Sequence, residues 1–260
     1  APFSYTAVLF AVSGIATVLI LPKEPSSAEQ PNQLFDRSQV LDQLRPPAHA
    51  PEFSRVFAAR TCMMAGVGLT GVFLWYLVRF WVYGKAVVLT SAPLTIPAGF
   101  LIAGMAVATL IGAALASWAA GPISERIEEK NIPVARVVAG ACLLYAAGLA
   151  LAWGLGVWST GTARENGMLL FALISGFAFG VYDSLGLELV MDSLPDPRRA
   201  GHDLGIYALA NSAGLALAAI IGALLVNAFE HSFGYYLLFP SAIVMVLLAG
   251  IVTLTTKSAE

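Results

Sequence analysis

The sequence predicts an all-α membrane protein with seven transmembrane helices, and three observations lead to this fold class. Hydrophobic residues make up 58% of the 260 residues and charged residues only 12%, which is too little charge to cover a soluble domain of this length. The mean hydropathy is +0.78. Seven segments reach the roughly 20 apolar residues that a membrane-spanning helix needs. They are too long for strands and lack the period of two that a membrane β-barrel shows.

The seven segments are arranged as one isolated helix, a long linker and a six-helix bundle. Their approximate bounds are 4–21, 61–81, 96–118, 134–157, 167–191, 203–227 and 233–256. The linker, residues 22–59, is polar and rich in proline, which is typical of an extended connection. The later connections are short, and the segments they join are rich in small residues that let membrane helices pack closely. Residues 60–260 are therefore expected to form one compact bundle.

Lysine and arginine alternate strongly between successive connections. Starting from the linker, with Arg60 counted in it, their numbers are 5, 1, 3, 1, 2 and 0, and the C-terminal tail holds 1. By the positive-inside rule, the richer side is cytoplasmic. The sequence therefore predicts a plasma (inner) membrane protein whose residue 22–60 loop and C-terminus are cytoplasmic and whose N-terminus is outside. An outside N-terminus without a leader sequence further suggests a piece of a longer protein.

A short motif and the order of the segments point to a known family. The stretch Gly121-Pro122-Ile123-Ser124-Glu125-Arg126 follows the third segment. It resembles the second copy of the cytoplasmic G-x-x-x-D-R loop motif of the major facilitator superfamily, with Glu125 in place of the aspartate. Residues 1–21 resemble the last helix of an incomplete N-terminal half in that family, and residues 60–260 resemble the C-terminal half. The stretch from Pro197 to Asn211 is similar to a pattern in the sugar-transporting branches.

This resemblance implies a partial secondary transporter that moves a small polar solute by alternating access. The solute would be sugar-like or another metabolite, and transport would be coupled to a proton or another cation. A missing N-terminal six-helix half would be the partner of this chain within the lipid bilayer. The resemblance implies no enzymatic activity, no cofactor, no metal and no nucleic-acid partner. A drug or metabolite exporter of the same fold is an alternative.

Asp183 is the first candidate for the transport path because it lies inside the apolar run of residues 166–191. A carboxylate at that depth is costly in hydrocarbon and usually marks a path for a solute, proton or ion. The alternative for Asp183 and its neighbour Tyr182 is a structural pair with a basic group. Asn211 and Tyr207 lie one turn apart on the sixth segment, so they share a face. They can line the path or hydrogen bond between helices.

A second group of candidates lies near the predicted outer end of the second segment. Arg79 is close in sequence to Trp75 and Tyr76. The guanidinium can bind an anionic or hydroxyl-rich solute. Alternatively, it can reach the membrane interface beside a belt of aromatic side chains, which is a common place for arginine.

A cytoplasmic gate is expected from residues at the predicted inner ends of the segments. Charged side chains there can form a network that holds one conformation closed. The candidates are Gly121, Glu125, Arg126, Glu188, Asp192, Arg198 and Arg199.

Two other classes of protein fit less well. A seven-helix receptor or photoreceptor has the same number of spans and the same orientation. However, a retinal photoreceptor needs a lysine in the middle of its last helix, and Lys257 lies past the end of the seventh segment. A membrane-embedded enzyme needs clustered polar groups at membrane depth on several helices. The chain also lacks the G-x-x-x-x-G-K-[ST] motif of an ATP-driven pump.

Overall fold

The computed structural model describes residues 51–83, 95–158, 161–194, 200–229 and 231–256, together with Val12. All regular secondary structure in these ranges is helical, which confirms the all-helical part of the predicted fold class. The predicted span at 4–21, apart from Val12, and the linker up to residue 50 lie outside the described residues.

The described ranges contain the following helices, in order along the chain. They are α1 (Pro51–Gly71), α2 (Leu74–Tyr76), a π-helix (Leu77–Val82), α3 (Thr95–Lys130), α4 (Val134–Trp158), α5 (Thr162–Asp192), α6 (Ala200–Ala228) and α7 (His231–Leu254). Helices α3 to α7 are each long and apolar enough to cross a membrane. The segment from α1 to the π-helix is a sixth candidate, bent by 41° at a short break. The described residues therefore contain five or six such helices.

Helix α1 begins at Pro51, inside the stretch that the sequence assigns to the linker. Proline is favoured at the first position of a helix, and Glu52 in the first turn is favoured by the helix dipole. The predicted second span, 61–81, therefore starts about ten residues too late. As a consequence Arg60 is not a loop residue, because it lies within α1 and is only 8% exposed.

The packing of the six candidate spans divides them into two sets of three with similar contacts between the sets. The first triplet is α1 with its α2 and π extension, α3 and α4, and the second triplet is α5, α6 and α7. Helix α1 packs mainly on α6 and α7, the later helices of the second triplet. Helix α5 packs mainly on α3 and α4, the later helices of the first. Helices α4 and α7 also pack on each other, so the main contacts between the two triplets are equivalent. Within the triplets, α6 packs on α7 more extensively than α3 packs on α4.

Contacts at glycine residues show that α3 runs parallel to α5 and that α1 runs parallel to α6. A Cβ atom on Gly112 of α3 would collide with the backbone of α5 at Leu173, and one on Gly180 of α5 would collide with Ala116 of α3. Numbering rises together on both helices, so α3 and α5 are parallel. Helices α1 and α6 are parallel by the same argument. A Cβ atom on Gly214 of α6 would collide with Met64 of α1, and one on Gly222 of α6 would collide with Phe73, just after α1. These glycines serve close helix packing, as the sequence predicts.

Helix α3 is longer than its predicted span, 96–118, because it continues to Lys130. The stretch Gly121–Arg126, expected in a loop, is therefore helical. Pro122 lies inside the helix. Proline removes one backbone hydrogen bond there, which is tolerated more easily where neighbouring carbonyl groups can meet water. The motif that carries the family resemblance thus extends a helix.

Candidate functional site

Arg60 is the centre of a polar cluster that joins three helices. Its Nε donates a hydrogen bond of 2.7 Å to Oδ1 of Asn211 on α6. Its Nη1 lies 2.8 Å from Oδ1 of Asp183 on α5, which forms an ion pair. The Arg60 guanidinium on α1 therefore links α5 and α6, the two helices of the second triplet that carry candidate path residues.

Three aromatic rings surround the same guanidinium. Its Cζ lies 5.6 Å from the ring centroids of Phe179 and Tyr182 on α5, and 5.7 Å from that of Tyr207 on α6. A cation within about 6 Å of an aromatic ring centroid is attracted by the electrons of the ring face. The rings therefore stabilise a positive charge that burial alone would disfavour.

The two members of the ion pair differ in exposure. The Arg60 side chain is 9% exposed, whereas the Asp183 side chain is 56% exposed. Asp183 faces a cavity of about 410 Å³ that lies chiefly between α3 and α5. The carboxylate can therefore meet a ligand or an ion that enters the cavity, while the guanidinium behind it stays covered.

The cluster lies well inside the helices that form it. Arg60 is nine residues from the start of α1 at Pro51, and Asp183 is nine residues from the end of α5 at Asp192. At a rise of 1.5 Å per residue, each is about 14 Å from that end of its helix. Helices α1 and α5 touch over only a short stretch otherwise. The ion pair is thus a main link between the first helices of the two triplets.

Four predicted path residues are brought together by this arrangement. Asp183, Tyr182, Asn211 and Tyr207 all contact Arg60. Tyr182 is buried. The sequence predicts Asp183 with Tyr182 and Asn211 with Tyr207 as two separate pairs, and the structure adds the cation that both pairs share.

The other path candidates lie in a separate place. Arg79 belongs to the π-helix, and its Cζ is 5.9 Å from the ring centroid of Phe80. Tyr76, Phe80 and Tyr235 stack with interplanar angles of at most 12°. Trp75 is exposed beside them. Since 19 residues separate Arg79 from Arg60, these side chains lie roughly 25–30 Å of helix away from the Arg60 cluster.

The predicted gate network is not seen among the gate candidates that the structure describes. Glu125, Arg126, Glu188 and Asp192 are exposed, and within the described ranges no ion pair joins any of them. Gly121 is also exposed, on α3. Arg198 and Arg199 lie outside the described residues.

Sequence reasoning missed Arg60, although a signal was present. Arg60 has the helical spacing of a buried stripe that includes Phe53, Val56 and Met63. Pro51 and Glu52 also mark a helix start upstream of it. An arginine in the register of a buried face needs a partner, and that requirement would have pointed to Asp183.

The fold and the site together describe a helical protein with membrane-spanning character and an ion pair at depth. No protein-family model, curated protein or solved structure matches this chain.

Proposed function

We propose that the chain is part of a secondary active transporter that moves a small polar solute by alternating access, with coupling to a proton or another cation. In this proposal α1 to α7 form one six-helix half of the transporter. The observation that carries the proposal is the Arg60–Asp183 ion pair, because it lies at the interface between two equivalent helix triplets.

Inverted repeats are a common plan for secondary transporters, and their binding sites lie where the repeats meet. The exchanged packing of the two triplets supports this plan. Arg60 of α1 meets Asp183 of α5, and Val67, further along α1, borders the same cavity as Ser175, which precedes Asp183 on α5. The first helices of the two triplets therefore run in opposite directions. Alternating access then consists of a change in the contact between triplets or between halves.

An ion pair inside apolar helices supports a transport role. Charged side chains at membrane depth are rare and usually face a protein interior or a water-filled path. Asp183 is more than half exposed and faces a cavity, so its carboxylate can exchange Arg60 for a proton or a cation. Protonation of Asp183 or binding of a cation there would weaken its attraction to Arg60 and release one link between α1 and α5.

Two faces of the bundle suit contact with a second six-helix unit. Helices α3 and α6 are the least buried of the long helices and hold equivalent positions in their triplets. Each carries an exposed stripe rich in small residues, with the same spacing of four, three, four, four, three and four residues. The stripe on α3 is Gly99, Ala103, Ala106, Leu110, Ala114, Ser117 and Gly121, and the stripe on α6 is Gly201, Gly205, Ala208, Ser212, Ala216, Ala219 and Ala223.

Small residues allow membrane helices to approach closely. In the proposed transporter these two stripes pack against the second half, and the cavity at Asp183 opens toward the space between the halves. Lateral exposure to lipid alone would not require small side chains, because lipid chains accommodate larger ones equally well.

The proposed orientation follows from the distribution of basic residues. Removing Arg60 from the first connection lowers its number from 5 to 4, and that connection still holds the most lysine and arginine. The ends of α3 and α5 and the starts of α1 and α6 would then face the cytoplasm. The Arg60 cluster would lie nearer the cytoplasmic side than the outer side.

Uptake into proteoliposomes tests this proposal. The chain is reconstituted together with the second six-helix half that this proposal requires, and labelled sugars, polyols and amino acids are offered. At least one solute should accumulate against its gradient, and a protonophore or a cation ionophore should abolish accumulation. The chain alone is the control and should accumulate none. If no solute moves through a folded protein with both halves, the proposal is wrong.

A further inference from the structure

The cavity next to Asp183 has a chemical character that limits what it can bind. It is bounded mainly by α3 and α5, with contributions from α1 and α4. Its volume of about 410 Å³ is within the range of about 300–1,000 Å³ for small-molecule sites. Its polar lining consists of Thr109, Ser117, Tyr145, Ser175, Asp183 and Ser184.

The lining offers more hydrogen-bond acceptors than donors. Ser175 donates its proton to the carbonyl oxygen of Ala172 at 3.0 Å, and Ser184 donates to that of Val181 at 3.1 Å. Each hydroxyl has one proton, so both serine oxygens are left as acceptors toward the cavity. The Asp183 carboxylate adds further acceptor positions. A ligand with several donors therefore matches this lining.

The charge of the site is balanced before any ligand enters. Arg60 lies 2.8 Å from Asp183 and is covered by protein. An anionic ligand would meet the exposed carboxylate first and could not reach the buried guanidinium. A cationic ligand would be opposed by the guanidinium immediately behind the carboxylate. An uncharged ligand avoids both costs and can still donate hydroxyl protons to Asp183.

We propose that this cavity binds a small uncharged polyol, whose hydroxyl groups donate to Asp183, Ser175 and Ser184, and that Arg60 sets the preference for an uncharged ligand. The inference rests on the proposed transport function, since it names the class of solute for the same site. It also gives Arg60 a role in specificity through Asp183, without direct contact with the ligand.

Binding to the 260-residue chain in detergent micelles tests the inference without transport. Pentoses, hexoses, hexitols and disaccharides are measured by isothermal titration calorimetry. The tightest binder is then compared with derivatives in which one group becomes a carboxylate or an amine. The uncharged compound should bind at least about tenfold more tightly than either derivative, since a poorly paired charge costs more than 1.4 kcal/mol.

Two cavity variants and two matched controls locate the binding. Asp183→Asn should weaken binding of the uncharged compound about tenfold or more. It should raise the affinity for the carboxylate derivative relative to that compound, because the Asp183 charge that repels a carboxylate is gone. Ser117→Ala should weaken binding severalfold without touching the ion pair, which keeps the test valid if Asp183→Asn does not fold. Glu129→Gln, exposed at the end of α3, and Ser241→Ala, in a smaller cavity of about 240 Å³, should change nothing.

Two results would overturn the inference. One is tighter binding of a charged derivative than of its uncharged parent, and the other is no binding of any compound in the panel. Polyol binding at the cavity without transport would support the inference and refute the proposed transport function. Coupled transport of a charged solute through the same cavity would support the transport function and refute the inference.

Discussion

Arg60 on α1 and Asp183 on α5 form an ion pair of 2.8 Å in which the arginine is buried and the aspartate is more than half exposed. Arg60 also holds Asn211 on α6 and is flanked by three aromatic rings. Arg60 is therefore held in place by several contacts, whereas Asp183 can leave Arg60 and bind another group. This asymmetry underlies the first two predictions.

The Arg60–Asp183 pair should show strong energetic coupling. In a double-mutant cycle with Arg60→Met and Asp183→Asn, we expect a coupling energy of about 1.5–3 kcal/mol, the range for hydrogen bonds to charged groups. The matched control is the pair of Arg55 and Glu52, which is 2.6 Å long and whose side chains are 41% and 31% exposed, so both partners meet water. Its coupling should be about 0.5 kcal/mol or less. Unfolding in detergent provides the free energies, and equal coupling for the two pairs would contradict the prediction.

Asp183→Asn should separate coupled transport from exchange in the complete transporter. The substitution keeps the size and removes the charge and the ability to take up a proton. Uphill accumulation should fail at every solute concentration, because the proton cannot be taken up. Exchange of labelled for unlabelled solute does not require release of the proton, so it should survive but need about tenfold more solute. Both rates are measured in the same proteoliposomes, with Glu129→Gln as the carboxylate control. Normal uphill accumulation by a well-expressed variant would exclude Asp183 as the coupling residue.

Gly112→Ala should disrupt the contact between α3 and α5. The added Cβ would collide with the backbone of Leu173 and Phe177, which cannot move aside as a side chain can. A loss of about 1–3 kcal/mol in unfolding free energy is expected for such overpacking. Gly140→Ala on α4 is the control, because its Cβ would meet nothing within 4 Å. It should be neutral or stabilise by about 0.5–1 kcal/mol. Similar effects at both positions would refute the packing role.

Arg126→Ala should leave the stability of the chain nearly unchanged. Arg126 is exposed, and such surface changes are usually within about 0.5 kcal/mol. If Arg126 forms a gate in another conformation, the same variant should slow transport and leave the order of preferred solutes unaltered. Thermal unfolding and uptake of two competing solutes give both answers. A changed order of preference with normal speed would place Arg126 at the binding site.

Single cysteines should report the orientation of the bundle. After replacement of Cys62 and Cys142, Glu128→Cys at the end of α3 should react only with reagent on the cytoplasmic side. Thr162→Cys at the start of α5 should react only from outside. Thr162 is preferred to Gly161, whose positive φ of 63° disfavours other residues. The reverse pattern of labelling in intact cells would invert the proposed topology.

The helical class and most of the helices could be predicted from the sequence. Helices α4, α5, α6 and α7 lie within a few residues of their predicted spans. Helix α3 is longer than predicted and α1 begins about ten residues earlier than predicted, because hydropathy is low in polar turns even where they are helical. The start of α1 was missed for this reason, and with it the position of Arg60.

The candidate site could be predicted only in part. Asp183 and Tyr182 were found because a carboxylate inside an apolar run is costly, and Asn211 and Tyr207 because they share a helix face. Whether Glu125 and Arg126 meet Glu188 and Asp192 depends on how helix ends are arranged in space. No local pattern contains that information, and within the described ranges the structure shows no ion pair among these four residues.

The sequence by itself determined that this is a helical protein with membrane-spanning character, because the length and hydropathy of a segment are local properties and a lipid environment requires backbone groups to be paired within helices. Only the tertiary structure decided that Arg60 is the partner of Asp183. Arg60 and its other partner, Asn211, are 151 residues apart in the chain. Their contact exists because the two triplets exchange packing partners, and a charge can be stabilised at that depth only where such packing brings its partners within about 3 Å.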